Sequence, residues 1–137
     1  MFLLDANVAS ELRSGKPQQS AAVRAWAQEQ PIQQLYLSAV TVLELEIGVL
    51  RMERKDRSQG KVLRTWAEAV LQQFDGQVLP FTAETALHCA GMHVQDPNSM
   101  RDSMIAATAL QHSLTLVTRN VADFDGTNVK LVNPWEK

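Results

Sequence analysis

A single cysteine, Cys89, stands in a chain of 137 residues, so no internal disulfide can form. Glycine (6) and proline (5) are scarce and no segment is of low complexity, which excludes collagen-like and linker-type sequences. Long apolar runs are missing too, since nothing approaches the roughly 18 residues that a membrane span needs. The apolar opening Met1-Phe2-Leu3-Leu4 meets Asp5 too soon to form the core of a signal peptide. A cytoplasmic protein with no membrane association is expected. An excess of positive charge is also absent. Thirteen Lys and Arg against 15 Asp and Glu leave a net charge of −2, which argues against a uniformly basic wrapper of nucleic acid.

What the chain does have is 45% apolar residues, at a length that buries about two-thirds of the unfolded surface. Residues 1–137 are expected to form one domain. Charge is spread unevenly along it. Between Arg51 and Arg64, six basic residues (Arg51, Arg54, Lys55, Arg57, Lys61, Arg64) stand against Glu53 and Asp56, a local +4. The remainder, with seven basic and thirteen acidic residues, carries −6. This is a basic pole on an acidic body, although a charge run taken alone reads as a solvated face.

Short apolar runs alternate with stretches of helical period. Met1–Leu4, Leu35–Ser38, Val78–Phe81, Leu114–Thr118 and Val129–Val132 read as strands. A helix follows Asp5-Ala6-Asn7, Gly15-Lys16-Pro17 breaks the chain, and Ser20 caps a helix over 21–30 that Pro31 stops. Thr41-Val42-Leu43-Glu44 fits a capping box and opens a further helix. That helix breaks near Ser58-Gln59-Gly60 and resumes from Lys61 to Phe74, making a helical hairpin at about 41–74. Thr82 caps a helix through Val94 that stops at Asp96-Pro97, and an Ala-rich helix runs from about Met100 to His112. Parallel strands need right-handed crossover connections, so the alternation predicts an α/β fold with about five parallel strands and helices on both faces.

In open parallel sheets ligands bind beyond the carboxyl ends of the strands, and acids gather there. Asp5 leaves the first strand, Glu44 lies in the first helical turn after the second, and Asp102 lies in the first turn of the Ala-rich helix. Asn120 and Asp123 follow the fourth strand. Each acid also has an ordinary explanation. Asp5 suits a helix cap, and Glu44 completes the Thr41 capping box. Asp102 closes Ser99-Met100-Arg101-Asp102, and Asp123 sits in a turn beside Asp125-Gly126. Their convergence carries more weight than any one of them. Several carboxylates at one edge would repel one another and raise their pKa values unless a cation shared them. A hard divalent cation, Mg²⁺ or Mn²⁺, prefers such oxygen ligands and suits phosphodiester hydrolysis.

Other chemistry finds less support. His88, Cys89 and His93 fall on different faces of a helix, which does not suit zinc, and His112 closes a helix. No nucleophile elbow and no glycine-rich nucleotide loop is present.

Four segments together resemble the PIN-domain ribonucleases, and within them the VapC and FitB kind of toxin from bacterial type II toxin–antitoxin pairs. They are Leu3-Leu4-Asp5-Ala6-Asn7-Val8, the run Leu37 to Gly48, Asp102 to Ala109, and Val117-Thr118-Arg119-Asn120 leading to Asp123-Phe124. The resemblance implies a Rossmann-like α/β/α sandwich, Mg²⁺- or Mn²⁺-dependent endoribonuclease activity, a homodimer, and a cognate antitoxin that obstructs the site. By position it makes Asp5, Glu44 and Asp102 the core metal carboxylates. The fourth position falls to Asp123, while Asn120 stands where the FitB kind has an acid, and can orient a water or a neighbouring carboxylate.

Two other readings stay open at this level. One is aspartyl-phosphate chemistry with Asp5 as nucleophile, which wants a second acid near Asp5 and a late Lys where the chain has Asn7 and Arg119. The other is a non-catalytic interaction module whose acids cap helices and whose basic hairpin binds a partner.

Overall fold

The structure, a computed structural model, describes residues 1–13, 18–95 and 99–136. The expected breaks at Gly15-Lys16-Pro17 and Asp96-Pro97 lie outside them. Five strands, β1 (Phe2–Leu4), β2 (Leu35–Ser38), β3 (Val78–Leu79), β4 (Thr115–Val117) and β5 (Leu131–Val132), form one sheet in the order β3-β2-β1-β4-β5. Every pairing is parallel, with Leu3 opposite Tyr36 on one side and Leu116 on the other. Six helices connect them: α1 (Ala6–Glu11), α2 (Ala21–Gln28), α3 (Ala39–Lys55), α4 (Arg57–Gln73), α5 (Ala83–Gln95) and α6 (Met100–Gln111).

Strand side chains alternate between two faces, and each face has its own core. Leu3 and Leu116 pack with Val40 of α3 and with Ile105, Ala106 and Ala109 of α6, all buried. Leu4, Leu37 and Val117 point the other way, onto Val8 of α1, Val23 of α2, Val70 of α4 and Phe74 just after it. Helices therefore cover both faces, and the three-layer α/β/α arrangement follows. The alanines of α6 are fully buried, so their small side chains bring that helix close to the sheet.

The hairpin differs from its sequence reading in two ways. Ser38, not Thr41, caps α3: its Oγ accepts the Thr41 N–H at 2.9 Å and donates to Thr41 Oγ1 at 3.1 Å. The expected capping box is thus displaced by a serine three residues earlier. The break between the two helices falls at Asp56, whose carboxylate accepts the Gln59 N–H at 3.1 Å, and not at Ser58-Gln59-Gly60. Gly60 is instead buried inside α4, where a Cβ would stand 2.5 Å from Glu53 Cα. Its missing side chain lets α4 cross α3 at that point. Gly60→Ala is therefore expected to destabilise the protein by about 1–3 kcal/mol through overpacking, despite alanine's better helix propensity. Thermal or urea unfolding measures this, and an increase in stability would contradict the close crossing.

Arg64 fixes the same crossing. It donates two bonds to Glu46, at 2.6 and 2.9 Å, and two to Glu53, at 3.0 and 3.2 Å. The guanidinium holds the Glu46 carboxyl below the usual range. One of the six basic residues is thereby neutralised within the hairpin, whereas Arg51, Arg54, Lys55, Arg57 and Lys61 remain exposed.

Candidate active site

The chain steps outward from β1 to β2 and β3, then returns to the far side of β1 for β4 and β5. The carboxyl ends of β1 and β4 flank the place where strand order reverses, the usual ligand crevice of an open α/β sheet. Asp5 and Thr118 leave those two ends. The Asp5 N–H bonds the Val117 carbonyl at 2.9 Å, which ties its backbone to β4. Its side chain is 7% exposed.

Asp5 is the N-cap of α1, with Oδ1 accepting the Ala6 N–H at 2.8 Å, so the ordinary explanation of this acid holds. It does not account for Oδ2, which accepts from Thr118 Oγ1 at 2.8 Å across the crevice. Thr118, fully buried, also accepts from the Asn120 N–H at 3.1 Å and from Asn7 Nδ2 at 3.4 Å. Asn7 Oδ1 accepts the Arg119 N–H at 3.3 Å. This network fixes the Asp5 carboxylate relative to the loop after β4. Burial pushes the Asp5 carboxyl up; the bonds from Thr118 and Ala6 pull it down, and the charges of Asp102 and Asp123 push it up again.

Glu44 stands in the second turn of α3, since the helix begins at Ala39, and so plays no part in capping it. Its carboxyl is raised by burial first, then by Asp5 and Asp102, with Arg101 opposing. Glu44 Oε1 is buried with no hydrogen-bond partner among the described residues, and Oε2 lies 3.8 Å from Arg101 Nη1. A buried carboxylate oxygen without a partner is costly, on the order of 1–3 kcal/mol or more.

Asp102 is in the first turn of α6, where Ser99 Oγ caps the helix by accepting the Asp102 N–H at 3.2 Å. Asp123 lies in a one-turn 3₁₀ helix at Val121–Phe124, exposed but within the field of Asp5. Asn120 is exposed and reaches the network through its backbone N–H. Asp5, Glu44, Asp102 and Asp123 thus form one electrostatic group at one edge of the sheet. Among the described residues no three His, Cys, Asp or Glu side chains stand close enough together to hold a metal ion as placed. The donors are nonetheless all oxygen, one of them is orphaned, and the group repels itself, which is the chemistry a hard divalent cation fits.

Three contributors lacked an assigned role in the sequence reading. Thr118 positions Asp5, Ser38 sets where α3 begins, and Arg101 faces Glu44. A hydroxyl at the end of the strand beside β1 was the available signal for Thr118. The histidines stay outside: His93 Nδ1 pairs with Ser103 Oγ at 2.9 Å, His88 is exposed, and Cys89 is buried.

Comparison with known proteins gives a consistent set of relatives. A family model described as PIN domain matches residues 2–128. The VapC ribonuclease Y4jK of Sinorhizobium fredii is 38% identical over 141 residues, covering 99% of each chain. Toxin FitB of Neisseria gonorrhoeae is 35% identical over 140 residues, covering 98% of this chain and 99% of its own. The crystal structure of FitAcB from Neisseria gonorrhoeae superposes with a TM-score of 0.88 at 36% identity, covering 100% of both chains.

Proposed function

The chain belongs to the PIN-domain family, and from that premise we propose that it is an endoribonuclease toxin of a type II toxin–antitoxin pair, hydrolysing RNA phosphodiester bonds with a divalent metal ion. The observation that carries the metal-dependent part is the orphaned, buried Glu44 Oε1 facing the charges of Asp5 and Asp102. We assign Asp5, Glu44 and Asp102 as the principal ligands and Asp123 as the fourth acid, because Asp123 acts on Asp5 whereas Asn120 reaches the network by its main chain. Bound there, Mg²⁺ or Mn²⁺ would polarise an attacking water and neutralise charge on the phosphate.

The chain's own residues supply the positioning. Thr118 and the Ala6 N–H hold both Asp5 oxygens, so the carboxylate is set before any ligand arrives. Such preorganisation spares reorganisation at the moment of reaction. Arg101 partly offsets the upward push that burial and Asp5 exert on the Glu44 carboxyl. Aspartyl-phosphate chemistry fits less well, since it wants a second acid beside Asp5 and a late Lys, where the chain has Asn7 and Arg119.

A toxin of this kind implies an antitoxin. A hollow of about 430 Å³ between α1, α2 and α4 is lined by Leu12, Ile32, Trp66 and Phe74, and by Arg24, whose Nη1 is buried without a partner among the described residues. An apolar antitoxin segment bearing a carboxylate suits it. We also propose a homodimer, because Leu43 and Leu50 of α3 and Leu87 and Val94 of α5 are exposed, each pair two turns apart on its helix. No described helix is long and apolar enough to cross a membrane, and we place the protein in the cytoplasm with its RNA substrate.

The purified protein is expected to cut single-stranded RNA with Mn²⁺ or Mg²⁺ and to stop when EDTA is added. Undiminished cutting in EDTA would contradict the metal requirement.

A further inference from the structure

A second hollow, about 370 Å³, opens beside Glu44 between α1, α3, α4 and the first turn of α6. Its length follows α3, along the face that carries Glu44, Gly48 and Arg51 at helical spacing. Ser10 of α1, Trp66 of α4 and Arg101 of α6 form other parts of its wall.

Gly48 is the unexpected residue here. It lies inside α3, where glycine is among the least favourable residues. Packing within the chain does not require it: a Cβ at Gly48 would meet nothing within 4 Å, and its φ is not in the left-handed region. At Gly60 the neighbouring helix explains the glycine; at Gly48 no part of the described protein does. What the missing side chain keeps clear is part of the wall of this hollow.

The charges around it have one sign once Glu44 is set aside. Among the described residues Arg51, which is exposed, has no carboxylate partner, and Arg101 makes only the 3.8 Å contact to Glu44. The hollow therefore presents two guanidinium groups, a hydroxyl and an indole next to the acidic group, with room of the size a small ligand fills. A nucleotide has the matching parts: phosphates for the arginines, a sugar edge for the hydroxyl and a base face for the indole.

Resting on the ribonuclease reading above, we propose that this hollow is a nucleotide-binding subsite. It seats the nucleotide next to the scissile phosphate of a single-stranded RNA, with Arg51 and Arg101 holding phosphates and Gly48 admitting the nucleotide against α3.

The test is fluorescence anisotropy of a short labelled single-stranded RNA of mixed sequence, bound to protein carrying Asp5→Asn so that the RNA stays intact. Gly48→Ala should raise the melting temperature by a few degrees, through helix propensity, and yet weaken RNA binding. Gly48→Leu should weaken it by about tenfold or more, the penalty of filling a fitted pocket. Arg51→Ala should weaken binding about equally for all sequences and lower the salt slope by about one. Unchanged RNA affinity in all three variants, in a protein whose parent binds RNA, would overturn the subsite and leave the ribonuclease reading standing. Unchanged RNA affinity with a loosened antitoxin complex would give the hollow to the antitoxin and equally overturn it. A protein with Asp5 intact that neither binds nor cuts RNA in the presence of Mn²⁺ would instead remove the ribonuclease reading, and the subsite with it.

Discussion

Asp5→Asn is expected to lower RNA cleavage by about a thousandfold or more while leaving the fold intact. Removing one charged ligand costs a metal site several kcal/mol of transition-state stabilisation, and each 1.36 kcal/mol is a factor of ten in rate. Stability moves the other way. The folded-state pKa of Asp5 is raised, chiefly by burial, so the native protein retains a proton in a pH window where the unfolded chain has lost it. Stability therefore declines as pH rises from the ordinary carboxylate pKa through the raised one, and at neutral pH the charged Asp5 is a net cost in the absence of metal. Asparagine removes that cost and remains a good N-cap for α1. In EDTA the variant should melt at the same temperature as the parent or higher. A lower melting temperature, or retained cleavage, would show that Asp5 serves the fold and not the chemistry.

Thr118→Val should have the second largest effect, through position and not contact. The side chain is fully buried, and its hydroxyl joins Asp5 Oδ2, the Asn120 N–H and Asn7 Nδ2. A valine methyl leaves all three groups short of a partner, for a stability loss of about 1–3 kcal/mol. Losing a hydrogen bond that orients a metal-binding carboxylate typically lowers activity by about 10–100-fold. The same bond also lowers the Asp5 pKa, so its loss should move the acidic limb of the kcat/KM profile to higher pH. Thr118→Ser keeps the hydroxyl and should restore both rate and profile. An unshifted limb in the valine variant would mean that Asp5 is not the group titrating there.

The sheet was legible because its signal is local. Leu3 and Leu4 alternate between the two cores, as do Leu116 and Val117, and each short run ends where a polar residue begins the next connection. The acids were legible for the same reason, since Asp5 directly follows β1 and Asp102 lies in the first turn of α6. Details set by contacts between distant segments were not. Thr41-x-x-Glu44 satisfies a capping pattern, yet Ser38 at the end of β2 takes the cap and leaves Glu44 without a capping role. Gly60 has the composition of a break, and only the approach of Glu53 across the hairpin shows why it sits within a helix. The basic pole likewise lost Arg64 to Glu46 and Glu53, a pairing between helices that a charge count along the chain does not contain. The tie between Thr118 and Asp5 spans 113 positions and depends on β1 and β4 being neighbours.

The most direct measurement is calorimetric titration of the protein with Mn²⁺, beside the same titration of Asp102→Asn. Saturable binding by the parent that raises its melting temperature, and a large loss of both in the variant, is the result predicted when the acids at the end of the sheet share an ion. Heat-silent titration of the parent, or equal binding by both proteins, would contradict it.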